Sequence, residues 1–164
     1  TLTGAVAPTD TWTASIKVID DSALNATSTQ TFEVGTLLAL SIPASIDYGT
    51  LAREQATTNT TNQDMVITQY GNDGADVEVS GTTMTCTVVG SIPIANQKWS
   101  LSDLSATAGG TTQLSGVAVD TNIAVGYRTS DAGALTKTLF WNMIMPAVAT
   151  GTCSGTNTIT SIAS

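Results

Sequence analysis

The sequence predicts an all-β protein, a two-sheet β-sandwich of jelly-roll or immunoglobulin-like type with about nine to eleven short strands. Three observations predict it. Apolar and polar residues alternate with period two over several stretches, whereas helical periodicity is hard to find. Turn-forming clusters of Gly, Asn and Asp recur about every 8–15 residues. Polar positions are filled by Thr, Ser, Gly, Ala and Asn, so that only 11% of the residues are charged, against about 25% in average globular proteins. A length of 164 residues fits one domain, 1–164, which can bury roughly 70% of its unfolded surface. No internal repeat or linker interrupts it.

In chain order, "TWTASIKVI" puts Trp12, Ala14, Ile16 and Val18 on one face and Thr11, Thr13, Ser15 and Lys17 on the other, the pattern of a half-buried strand. "ALNA" is expected to form a short helical turn. "TQTFEVGTLLALSIP" continues strand-like through Phe32, Val34, Leu38 and Leu40, with Gly35 as a bulge or bend. "LAREQATTNTTNQD" is polar and reads as a loop or edge. A hairpin follows: Val66, Thr68 and Tyr70 lead into Gly71-Asn72-Asp73-Gly74, and Val77 and Val79 lead out, with the turn residues expected to supply positive φ. Further strands are expected at 84–89, 98–101, 113–119, 122–128, 135–145 and 156–162, and a second short helical turn at "LSDLSA". The run "LFWNMIMP" is apolar on both faces, as in a strand buried on both sides or facing another subunit.

Composition excludes several classes of function. Net charge is −8 with five basic residues, too few to build a cationic face for nucleic acid or an anionic membrane surface. The longest apolar run, "LTKTLFWNMIMPAVA", is broken by Lys137, Asn142 and Pro146, short of the roughly 20 residues a membrane span needs. The start at Thr1, without an initiator methionine, is the start expected after leader removal; deliberate trimming would leave the same one. The two cysteines, Cys86 and Cys153, lack CxxC spacing, and the chain has no histidine to complete a zinc site. In an oxidising compartment they pair and close a loop of about 68 residues, worth roughly 4 kcal/mol in the chain-entropy model. The other reading is two separate buried thiols.

The segment "TFEVGTLLAL … IDYGTL … VITQYGNDGADVEV", within residues 31–81, is similar to the start of the TasA/camelysin group of secreted fibre proteins and their relatives among archaeal bundling pilins. The resemblance covers about a third of the chain. The second half, with "QKWSLSD" and "LFWNMIMP", matches no family pattern, and the two cysteines depart from that group. The resemblance implies a secreted sandwich that polymerises with copies of itself, its mature N-terminus completing a sheet in the next subunit. Residues 1–20 are the segment that corresponds. In it Leu2, Val6 and Ala7 are apolar, Gly4 is flexible and Pro8 removes a backbone donor, so Thr1, Leu2, Gly4, Val6, Ala7, Pro8 and Trp12 are the candidate interface residues. The competing reading makes 12–19 the first strand of the chain's own sandwich.

Other candidates are weaker. Asn72, Asp73 and Asp76 offer oxygens to calcium but lack the spacing of a calcium loop, so a turn is the better reading. Asp20 and Asp21 suit a cation, or a turn capped by Asp21 or Ser22. Asn25 and Asn59 head N-x-[ST] acceptors in expected loops. Without histidine no Ser-His-Asp or Cys-His triad can form. Glu33, Glu54 and Glu78, the only glutamates, read as solvated acids rather than a glycosidase pair. Lys98 and Lys137 have no evident neighbour to activate them. Trp12, Trp99, Trp141, Tyr48, Tyr70 and Tyr127 could stack on sugars, but their apolar neighbours favour the core. The expectation is a non-enzymatic extracellular subunit of a filament, pilus or surface layer, without cofactor or metal. The alternative is a monomeric adhesin or carbohydrate-binding module that touches glycans or neighbouring cell surfaces.

Overall fold

The computed structural model describes residues 11–127 and 135–164. In chain order the strands are β1 (Thr11–Ile19), β2 (Asn25–Glu33), β3 (Leu40–Ser41), β4 (Gln63–Gln69), β5 (Ala75–Gly81), β6 (Met84–Cys86) and β7 (Ser91–Ile92). A 3₁₀ turn at Ile94–Asn96 leads to β8 (Gln97–Ser100), β9 (Thr112–Gln113), β10 (Val119–Asp120), β11 (Leu135–Met143), β12 (Cys153–Ser154) and β13 (Asn157–Ala163). Among the described residues there is no α-helix. Every ladder is antiparallel. The strands form four sheets: β1-β2, β10-β5-β13, β3-β4-β11-β8-β9 and β12-β6-β7. The all-β expectation therefore holds, as several antiparallel sheets.

Alternation builds the core. Along β4, Met65, Ile67 and Gln69 are buried while Asp64 and Val66 face out. Opposite them on β11, Leu139, Trp141 and Met143 point inward, with Trp141 paired across the sheet to Trp99 of β8. Val77 and Val79 of β5 close the same cluster, joined by Leu114, Ile123, Val125 and the partly buried Ile159 of β13. The inner residues of the five-stranded sheet and of the β10-β5-β13 sheet thus share one core. A smaller cluster of Ile92, Met143 and Ala149 lies beside it, with Met84, Met145 and the two cysteines packed against it. Cys86 and Cys153 face each other on β6 and β12 and are joined in a disulfide.

Three buried polar side chains are tied to backbone. The Thr57 hydroxyl donates to Asn142 Oδ1 at 2.9 Å and accepts the Met143 N–H at 3.0 Å, which fastens the loop after residue 51 to β11. Gln69 donates to the Asp73 carbonyl at 2.8 Å and accepts the Gly71 N–H at 2.9 Å. A side chain inside β4 therefore shapes the turn that follows it. Asp76 accepts the N–H groups of Val77 and Ile123, both at 2.8 Å, and so locks residues 121–125 to β5.

Several expectations need correction. The strand at 122–128 is absent over its described part: Asn122 and Ala124 take positive φ, 53° and 48°, and only an isolated bridge joins Val125 to Ala75. Arg128 lies outside the described residues. The strand at 113–119 is reduced to the short ladders of β9 and β10, with Gly116 and Ser115 between them. "LSDLSA" forms no helix, and the helical turn expected at "ALNA" is instead a hairpin turn followed by the first residues of β2. The stretch 34–39 is not strand; its apolar residues serve a connection instead. The turn after β4 contains none of the described positive-φ residues. Gly71 is needed there for close approach, because a Cβ would collide with the Leu37 carbonyl.

Candidate assembly interface

β1 and β2 form a ribbon that stands apart. Their nine-residue register runs from Thr11↔Glu33 to Ile19↔Asn25, and among the described residues neither strand joins another sheet. The turn is built by Asp20, whose Oδ1 accepts the N–H groups of Ser22 at 2.9 Å and Leu24 at 2.8 Å. Asp20, rather than Asp21 or Ser22, is thus the turn-forming side chain. Ala23 takes φ 64° to complete it.

Pleating gives the ribbon two unlike faces. Trp12, Ala14, Ile16 and Val18 sit across from Phe32, Gln30, Ser28 and Ala26. The opposite face carries Thr11, Thr13, Ser15 and Lys17 across from Glu33, Thr31, Thr29 and Thr27. The period-two reading of β1 was therefore right about the strand and its faces. The half-buried environment it implied is not there: Ile16 is 67% exposed, Val18 64% and Phe32 52%, and only Trp12 is partly covered. An isolated two-stranded hairpin is marginal in water, and one apolar face open to solvent is the mark of an interaction surface.

The root of the ribbon is fixed. Asn72, in the turn after β4, accepts the Leu37 N–H at 2.7 Å, donates to the Gly35 carbonyl at 2.9 Å, and donates its own N–H to the Leu37 carbonyl at 3.0 Å. Tyr70 N–H reaches the Ala39 carbonyl at 2.8 Å. The sequence marked Asn72 as a turn residue; its larger part is to clamp residues 35–39, distant in the chain.

Two clefts accompany the core. One, of about 380 Å³, lies between residues 42–46 and the first half of β13, lined by Ile42, Ile46, Met65, Met84, Asn157 and Ile159. The other, of about 290 Å³, is lined by Tyr48, Leu51, Met84, Ile92, Met143 and Met145. The Tyr48 hydroxyl is buried there without a partner among the described residues, and burial pushes its pKa well above the usual tyrosine range.

The remaining candidates are placed as follows. Thr1, Leu2, Gly4, Val6, Ala7 and Pro8 lie outside the described residues. Asn25 opens β2, not a loop, and Asn59 lies in a turn; both are exposed. Trp99 and Trp141 are buried, as the core reading expected, whereas Trp12 lies on the ribbon and Tyr70 is exposed. Glu33, Glu54 and Glu78 fall on three separate elements, β2, a loop and β5. Among the described residues no cluster of His, Cys, Asp and Glu could hold a metal, and no helix is long and apolar enough to cross a membrane. Set against models of known protein families, curated proteins and solved structures, the chain matches none of them.

Proposed function

We propose that this chain is a two-sheet β-sandwich that serves as the structural subunit of an extracellular filament, pilus or surface layer, joined head to tail to copies of itself through its N-terminal region. The observation that carries the reading is the uncovered apolar face of the β1–β2 ribbon. Burying a large aliphatic or aromatic side chain contributes about 1.5–3 kcal/mol, and Ile16, Val18 and Phe32 leave most of that unrealised. The body of the same chain buries its own inward-facing residues almost completely. A shared core between the five-stranded sheet and the β10-β5-β13 sheet supports the sandwich. The resemblance of residues 31–81 to TasA-like fibre proteins supports polymerisation, and the disulfide favours an oxidising, extracellular setting.

The role is structural rather than catalytic: the chain has no histidine, and its glutamates sit on separate elements. The adhesin alternative gains little, because two of the three tryptophans that a sugar platform would use are in the core. Negative-stain electron microscopy of the untagged protein tests the reading. Long, regular assemblies are expected; isolated compact particles at high concentration would overturn it.

A further inference from the structure

The ribbon needs a cover, and the same chain carries a sheet edge that is unpaired among the described residues. β13 is the last strand of its sheet: it pairs with β5 along one side, from Asn157↔Gly81 to Ala163↔Ala75, and with no strand along the other among the described residues. A seven-residue edge presents a row of unpaired backbone donors and acceptors, the ordinary template for a further strand. Beside that edge lies the cleft of about 380 Å³, whose apolar lining of Ile42, Ile46, Met65 and Ile159 faces the gap between the two sheets. The hydroxyl of Ser161, on β13 itself, is buried with no hydrogen-bond partner among the described residues.

The ribbon's root and the Gly155–Asn157 end of the cleft lie toward opposite ends of β13. The clamp formed by Asn72 holds the ribbon's root at the turn between β4 and β5. The C-terminal end of β13 lies at that same turn, where the Ser164 N–H reaches the Gly74 carbonyl at 3.2 Å. The cleft is lined by Gly155, Thr156 and Asn157, at the other end of β13, and by Met65, toward the far end of β4. A donor and an acceptor on different surfaces of one chain make a head-to-tail contact, which generates open chains unless its rotation closes a ring.

We propose that the acceptor for the β1–β2 ribbon is the β13 edge and its adjoining cleft on a second copy of this chain. The apolar face of Trp12, Ile16, Val18 and Phe32 covers Ile42, Ile46 and Ile159, and one free edge of the ribbon runs beside β13. The inference rests on the polymer reading above and names its acceptor.

Complementary blocked variants test it. Ile16→Glu with Val18→Glu spoils the donor face and leaves the acceptor intact. Ile42→Glu, or separately Ala44→Glu, spoils the acceptor at an exposed position lining the cleft and leaves the donor intact. Circular dichroism and thermal melts confirm that each variant is folded. By analytical ultracentrifugation, each blocked variant alone is expected to be monomeric. An equimolar mixture of one donor-blocked and one acceptor-blocked variant is expected to give a heterodimer and nothing larger, since one good donor meets one good acceptor. Acceptor variants that assemble like the wild type would overturn this inference while leaving the polymer standing, and would point to ribbon-on-ribbon pairing. A mixture that stays monomeric would overturn it too. A wild type that remains monomeric at every concentration would instead bring down the polymer reading itself.

Discussion

The ribbon and the body are made from the same period-two pattern and end in opposite environments. β1 alternates Trp12, Ala14, Ile16 and Val18 with polar residues, as β4 alternates Met65, Ile67 and Gln69 with Asp64, Val66 and Thr68. In β4 the apolar side meets β5 and Leu114 and is fully buried. In β1 it meets water. What separates them is not strand-forming tendency but whether a second sheet lies opposite. A strand's pattern states that one of its faces needs a partner; it does not state whether that partner belongs to the same chain.

The sharpest way to break the comparison is to remove the disulfide, which belongs to the body alone. Replacing Cys86 and Cys153 by Ala is expected to cost about 4 kcal/mol from the freed loop, read as a lower urea midpoint. The ribbon's exposure to proteases should stay unchanged in native conditions. A midpoint that barely moves would mean the smaller core holds that region without the crosslink. Next in size, Leu139→Ala should destabilise the monomer by about 3 kcal/mol through an unfilled cavity, while Ile16→Ala should change it by less than about 0.5 kcal/mol. Equal costs for the two would show that the ribbon packs on its own body.

A smaller effect sharpens the picture of the second cleft. The hydroxyl of Tyr48 is buried without a partner among the described residues, so Tyr48→Phe should raise stability by about 1 kcal/mol at neutral pH. Burial raises the Tyr48 pKa above its ordinary 10.0. The folded state therefore holds the proton more tightly than the unfolded chain. Its stability contribution is present below pH 10 and lost as pH rises above it. The Phe variant should lose less stability than the wild type between pH 9 and 11 in urea titrations. Parallel pH profiles for the two proteins would show that the hydroxyl reaches solvent or a partner.

How much of this was legible beforehand differs by element. β11 was plain in "LTKTLFWNM", because the end of a strand that its own chain covers on both faces is largely apolar, Asn142 being the exception. β2 was half hidden: "NATSTQ" is polar, and only its register against β1 makes it a strand. The segment 34–39 misled in the other direction, since Leu37 and Leu38 look like strand residues but belong to a connection held by Asn72. At 122–125 the apolar alternation of Ile123 and Val125 was real and both are buried, yet the backbone is bent by positive φ at Asn122 and Ala124 and fixed through Asp76.

The sequence by itself determined the all-β class, the two faces of β1, the position of β11 and the two cysteines available to pair, because each depends on residues near one another in the chain or on composition; it did not determine the faces of β4, where Val66 and Tyr70 turn out exposed. Tertiary structure alone decided that Cys86 and Cys153 lie across one ladder, that Asn72 clamps a distant segment, and that the apolar face of β1 goes uncovered while that of β4 does not. These depend on contacts between residues far apart in sequence, whose geometry no local pattern encodes.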